Sequence, residues 1–311
     1  MKVLVTGASG FLGSYTARRF AERGDSVVGT YFEHDHPPNG CPPWGHVPAE
    51  RLDIRSTEAV ETLIARERPD VIFHYAGQAY VQRSFRESRY THDVNFIGTL
   101  NLLETIRHVS PTTKVVFAGS GTAYGEPAQI PTPETCALAP TSPYAASKAA
   151  ADLLCLQYHL AHQLPILRLR IFGTTGVGKT GDFCNDVAGR IAAAERNGAT
   201  SIRVGRVDVR REIMDVEDFV GAAETVALKG TPGEVYNVGG GQAYLVSELL
   251  DKFLSFSTAT LSADPDPRLI RTADEPVHLG DTGRLRALGW APTIPIEGTL
   301  RRILDWHRRQ G

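Results

Sequence analysis

Tyr144 and Lys148 stand four residues apart in the stretch SPYAASKAA. On a helix that spacing places both side chains on one face. An ammonium beside a phenol favours the phenolate, so Lys148 is expected to lower the Tyr144 pKa. Such a tyrosine can give or take the proton of an alcohol. A Tyr-x-x-x-Lys pair alone is common, and reads equally as an exposed contact between neighbouring turns. A third hydroxyl sharpens it. Residues Val115 to Gly125 read VVFAGSGTAYG, an apolar strand that stops in small and hydroxyl residues. Ser120 and Thr122 project on the same side, because strand side chains alternate. From that strand end Ser120 can hydrogen-bond the oxygen that Tyr144 serves.

A proton relay of this kind needs a partner that moves a hydride, and the N-terminus offers a place for one. TGASGFLG sets Gly7, Gly10 and Gly13 in a GxxGxxG spacing, after the strand-like KVLVT and at the opening of a helix-like run. Glycines allow the tight turn and the close approach of backbone to a pyrophosphate, and the helix N-terminus adds free N–H groups. A glycine turn is weak by itself; its place within a βαβ pattern makes it a dinucleotide loop. The second strand ends in Thr30, Tyr31 and Phe32, which supply neither the acid that favours NAD nor the base that favours NADP. The choice between NAD and NADP stays open. Asp53 reads either as a hydrogen-bond acceptor for the adenine amino group or as an acid that starts the next helix.

The elements that must hold these residues alternate. Strands are expected at KVLVT, DSVVGTY, AERLDI, DVIFHYAG, KVVFAG and PILRLRIF. Helices are expected between them, including one long helix over THDVNFIGTLNLLETIRHV with Val94, Ile97, Leu100 and Leu103 on one side, and another over SPYAASKAAADLLCLQYHLAHQ. This alternation predicts an α/β fold, a Rossmann-type doubly wound parallel sheet. Beyond residue 172 the texture changes, from the loop GTTGVGKTGD onward. Residues 1–172 are read as a dinucleotide-binding domain, with segments returning from about 205–240, and 173–311 mainly as a smaller C-terminal α/β substrate lobe.

Composition narrows the function classes. The 311 residues are 42% hydrophobic and 22% charged, which is ordinary for a folded enzyme. A net charge of -2 gives no long-range pull toward nucleic acid or an anionic membrane. Four dispersed cysteines and ten histidines show no metal-ligand spacing. Reduced thiols, a cytoplasmic location and no membrane span are expected. His74 reads as a satisfied strand residue, and Trp290 and Trp306 as packing.

The motifs TGASGFLG, DVIFHYAGQAYV, VNFIGTLNLLE, AGSGTAYGE, SPYAASKAAAD, REIMDVEDFV, VYNVGGG and LGWAPTIPIEGTL, in this order, cover nearly the whole chain. Together they resemble the extended short-chain dehydrogenase/reductases, the NAD-dependent epimerase/dehydratase family. The nearest likeness is to its branch of 4-keto-6-deoxy nucleotide-sugar reductases and GDP-mannose 4,6-dehydratases. The resemblance implies Ser120, Tyr144 and Lys148 as catalytic residues. It implies cofactor contacts from Gly7, Ser9, Gly10, Phe11, Leu12, Tyr31, Asp53, Ile54, Tyr75, Ala76, Gly77, Asn95, Tyr144 and Lys148, with Asn95 supporting the active-site helix. For a nucleotide-diphosphate sugar it implies Gln78, Thr122, Lys179, Arg211, Arg271 and Asp274. Dehydratases of the superfamily carry a glutamate where this chain has Thr122, usually beside a polar or acidic residue where it has Gly121. Removal of water needs a base and an acid, so the resemblance implies a reductase, with a 4-epimerase holding tightly bound NAD as the alternative. A dinucleotide-sensing protein without activity would be expected to lose Tyr144 or Lys148. Gly173, Val177 and Ala79 depart from residues that many relatives keep. A homodimer through a four-helix bundle, built from the helices around 91–109 and 143–163, is the family expectation.

Overall fold

The computed structural model describes residues 1–32, 47–269 and 279–310. The chain begins β1 (Lys2–Thr6), α1 (Phe11–Glu22), β2 (Ser26–Tyr31), β3 (Ala49–Arg51), α2 (Thr57–Glu67) and β4 (Val71–His74). Short helices α3 (Val81–Arg86) and α4 (Ser88–His92) lead through a π-helical turn, Asp93–Ile97, into α5 (Gly98–Val109). Then come β5 (Lys114–Ser120), a 3₁₀ turn at Gly121–Tyr124, α6 (Pro143–His162) and β6 (Ile166–Ile171). The remainder is β7 (Thr174–Thr175), α7 (Phe183–Asn197), β8 (Ser201–Val204), β9 (Arg210–Glu212), β10 (Met214–Asp215), α8 (Val216–Lys229), β11 (Val235–Val238), β12 (Ala243–Leu245), α9 (Val246–Ser255), β13 (Ser262–Pro265), α10 (Gly283–Ala287) and α11 (Ile296–Arg309).

Seven strands form one sheet in the order β3-β2-β1-β4-β5-β6-β11, every neighbour pair parallel. Buried on both faces, a parallel sheet asks for unbroken apolar runs, and VIFH and VVFAG supply them. One face packs on α1 and α8 through Phe20, Phe73, Phe219 and Val220. The other packs on α2, α5 and α6 through Leu63, Ile72, Leu102, Leu103 and Cys155. The sheet is doubly wound, as expected. Strand order reverses between β1 and β4, so their C-terminal ends open the crevice where such folds take ligands. A third core joins α7, α9 and α11 through Ile191, Leu249, Phe253, Leu300 and Ile303.

Two elements differ from the sequence reading. The third strand stops at Arg51, which leaves Asp53 in the turn toward α2. The helix expected over 91–109 is interrupted by the π turn, whose wider winding rotates α5 relative to α4. Asn95 is thereby buried against α6, whereas Ile97, expected on the apolar side, is 39% exposed. Cys136, Cys155 and Cys184 are free thiols; Cys41 lies outside the described residues. Among the described residues no helix is long and apolar enough to cross a membrane, and no group of three or more His, Cys, Asp or Glu could hold a metal.

Candidate active site

β5 delivers Ser120 to the sheet edge because its run of buried apolar residues ends there and the chain tightens into a 3₁₀ turn. Ser120 caps that turn: its Oγ accepts from Thr122 N at 3.2 Å and lies 2.9 Å from Thr122 Oγ1. Ser142 caps α6 in the same way, its Oγ accepting from Ala145 N at 3.1 Å, with Pro143 at the first helical position. One turn of α6 separates Tyr144 from Lys148. The Tyr144 hydroxyl is hydrogen-bonded with Ser120. The three predicted catalytic residues therefore converge.

Their electrostatics differ from expectation in one respect. Burial raises the Tyr144 pKa, and the bond to Ser120 offsets only part of that rise. Lys148 takes no part in that shift. It donates to the Ala118 carbonyl at 2.8 Å and lies 5.5 Å from the centroid of the Phe117 ring. Burial pushes Lys148 down to about 8. Tyr144 is thus a protonated phenol at neutral pH.

Asn95 locks the helix that carries the pair. Its Nδ2 donates to Ser147 Oγ at 2.9 Å and to the Gln78 carbonyl at 3.1 Å, while its Oδ1 accepts from Gln78 N at 2.8 Å. Ser147 Oγ in turn donates to the Tyr144 carbonyl at 2.7 Å. A Cβ placed on Gly77 would stand 3.0 Å from Asn95 Oδ1 and 3.5 Å from Lys148 Nζ, so Gly77, Asn95 and Lys148 meet in one place. The Gln78 side chain, expected to face substrate, turns inward and is consumed by Tyr80 and Thr91. It shapes the loop after β4.

The glycine turn fits a dinucleotide. Gly7 has φ +70, and a Cβ there would come within 2.8 Å of Ala76 N. Only glycine serves where β1 and β4 part so closely. Gly10 precedes α1 without any side-chain cap, and no acid stands in the first helical turn. Its N–H groups are left for an anion. Ser9, Phe11 and Leu12 belong to this same turn, and Tyr75 and Ala76 face it from the end of β4. After β3, Asp53 is paired with Arg55, Oδ2 to Nη2 at 2.7 Å, and its carboxyl is held below the usual range by that guanidinium. Arg51 and Arg55 stand over the Phe32 ring beside Tyr31, at 5.6 and 5.5 Å. No residue of β2 itself announced these two cations. Ile54 packs beneath, against Gly98.

His74 is a core residue, as read from the sequence. Its ring bonds Thr6 Oγ1 at 2.7 Å and Thr99 Oγ1 at 3.1 Å, and burial lowers its pKa to about 3. Trp290 is buried, donating to the Asp218 carbonyl. Arg211, on β9, donates to the Arg210 carbonyl at 2.9 Å. Lys179 donates to the Thr174 carbonyl. Arg271 and Asp274 lie outside the described residues.

The profile described as GDP-mannose 4,6 dehydratase matches residues 4–303. The chain belongs to that family. It is therefore an NAD(P)-dependent enzyme of the extended short-chain dehydrogenase/reductase fold. Among its relatives is the GDP-6-deoxy-D-mannose reductase of Pseudomonas aeruginosa, 33% identical over 315 residues, covering 99% of this chain and 98% of the relative. The solved structure of RMD from Pseudomonas aeruginosa complexed with NADPH is 30% identical, covers all of both chains and superposes with a TM-score of 0.86. A UDP-glucose 4-epimerase of Thermotoga maritima, solved with UDP-glucose, is 26% identical, covers 100% of this chain and 99% of its own, and superposes at 0.90.

Positions 121 and 122 follow Ser120 directly at the end of β5. A Cβ on Gly121 would stand 3.0 Å from three atoms of the Phe172 ring. The same ring packs against Gly280, whose own Cβ would come within 2.5 Å of it. A side chain at position 121 therefore needs the Phe172 ring to give by a few tenths of an ångström. Thr122, held by Ser120, offers a hydroxyl and no acid.

Two arginines of β6 were not singled out by sequence. Arg168 and Arg170 alternate along that strand, both side chains reaching Asp152 on α6 at 2.7 to 3.1 Å. Asp152 stands one turn beyond Lys148. Arg170 NH1 also donates to Tyr124 Oη at 2.9 Å, on the turn that begins with Ser120. The signal was present as the i, i+2 arginines of ILRLRIF, but their partner is on another element.

Proposed function

We propose that this protein reduces the 4-keto group of a GDP-linked 4-keto-6-deoxy sugar, with Tyr144 as the proton donor. The observation that carries the reading is the convergence of Ser120, Tyr144 and Lys148 beside Gly121 and Thr122, neither of which is an acid. The reductase relative at 33% identity supports the same class. A nicotinamide dinucleotide held along Gly7–Leu12 supplies the hydride. Ser120 and Tyr144 hold the keto oxygen between their hydroxyls, and Tyr144 gives up its proton there. Arg51 and Arg55 beside Phe32 supply positive charge at the adenosine end and support NADPH over NADH.

Incubation with NADPH and 4-keto-6-deoxy sugar nucleotides tests this reading by loss of NADPH absorbance. One NADPH consumed per sugar reduced is the expected result, fastest with the GDP-linked sugar. The likeness to the Thermotoga maritima enzyme favours 4-epimerisation as the second reading. Interconversion of sugar nucleotides with no net cofactor use, and no turnover of any keto sugar, would establish that second reading and remove the first.

The assembly proposed is a homodimer across α5 and α6. Leu153 and Leu160, two turns apart on α6, are 54% and 65% exposed, and Ile97, in the segment leading to α5, is a further exposed apolar residue. The wild type should sediment as a dimer and the double variant Leu153→Asp, Leu160→Asp as a monomer. A monomeric wild type would end this assignment.

A further inference from the structure

Residues 173–180 read GTTGVGKT, between β6 and α7. That fits the GxxxxGK[ST] spacing of a loop that wraps the phosphates of a nucleoside triphosphate. Its conformation is different. Thr174 and Thr175 are extended and paired with Met214 and Asp215 of β10. Helix α7 begins only at Phe183, and its N-terminus is already filled. Asp182 Oδ1 accepts from Asn185 N at 3.0 Å, and Asp182 Oδ2 accepts from the Thr175 hydroxyl at 2.5 Å. A carboxylate that caps a helix occupies the place of an anion and repels another.

The loop instead covers the start of α1. The Tyr15 hydroxyl donates to the Val177 carbonyl at 3.0 Å, and Tyr80 Oη lies 3.0 Å from Thr180 Oγ1. A Cβ on Gly176 would stand 3.4 Å from Phe11 Cζ. Lys179 Nζ lies 5.7 Å from the centroid of the Phe11 ring. Phe11 is the first residue of α1, the helix whose N-terminus has neither a side-chain cap nor an acid in its first turn. Lys179 is thus placed between two helix ends, one closed by Asp182 and one open at Gly10.

We infer that Lys179 binds the pyrophosphate of the dinucleotide, and that residues 174–180 form a strap over the cofactor and no part of the sugar-nucleotide site. The inference rests on the dinucleotide-binding reading of Gly7–Leu12. Binding transfers the ammonium from the Thr174 carbonyl to a phosphate oxygen, a charge-assisted contact added to the neutral N–H groups of the turn.

The test is a fluorescence titration of the full chain with NADPH alone, and separately a calorimetric titration with GDP alone. Wild-type binding of NADPH checks the underlying reading by itself. Given that binding, Lys179→Met should weaken NADPH by about tenfold and leave GDP within about twofold. Lys179→Arg should restore most of the NADPH affinity, which separates loss of charge from damage to the loop. NADPH affinity unchanged in Lys179→Met overturns the inference, whether or not GDP weakens. Equal weakening of NADPH in the Met and Arg variants overturns it too.

Discussion

Tyr144→Phe lowers kcat for keto-sugar reduction by about 10²- to 10⁴-fold, the range for loss of a positioned general acid. The substitution removes one oxygen and keeps the ring, so the packing of α6 is preserved. Affinity for the dinucleotide stays within about twofold, because Gly7, Gly10 and Lys148 are untouched. The phenol must be protonated to do this work, and burial raises its pKa in that direction. Reduction is therefore insensitive to pH across the neutral range, where Tyr144 keeps its proton. It declines only at alkaline pH, as the raised pKa of the phenol is approached and the donor proton is lost. Steady-state kinetics with saturating NADPH over a pH series measure both effects. A Tyr144→Phe variant that kept a third or more of wild-type kcat would show that Tyr144 only lines the cleft.

The second large effect concerns stability. Asp152 is 1% exposed, and Arg168 and Arg170 are each 5% exposed. One carboxylate thus serves two guanidiniums inside the protein. Asp152→Ala leaves both cations buried without their counter-ion, at a cost of about 3–5 kcal/mol. That is a large share of a total stability on the order of 5–15 kcal/mol, and the expected fall in Tm is on the order of 10 °C. Thermal unfolding by circular dichroism measures it. A shift of only a degree or two would mean that the two arginines find other partners. The cluster also joins the two halves of the active site, since Arg170 touches both Asp152 on the helix of Tyr144 and Lys148 and Tyr124 on the turn of Ser120. Folded Asp152→Ala enzyme is therefore expected to lose kcat as well, with little change in the KM for NADPH.

What was legible in the sequence is what local geometry decides. Helical periodicity alone puts Tyr144 and Lys148 on one face. An apolar run ending in small residues suffices to mark Ser120 as a strand end. A strand, a glycine turn and a helix in succession define the dinucleotide loop within thirteen residues of the N-terminus. Each of these depends on neighbours a few positions away, so a linear reading captures it. The alternation of such units also fixed the parallel, doubly wound sheet.

Other features needed the tertiary structure, because their causes lie far along the chain. The π turn that buries Asn95 and exposes Ile97 comes from packing of 93–97 against α6, and an apolar period cannot report it. Gln78 turns inward because Tyr80 and Thr91 meet its amide. The sign of the Tyr144 pKa shift was set by burial, which outweighs the bond to Ser120. Proximity of a lysine in sequence could not decide that sign. Gly121 stood in the sequence as a missing acid. The structure adds a phenyl ring from Phe172, three of whose atoms would stand 3.0 Å from a Cβ at that position.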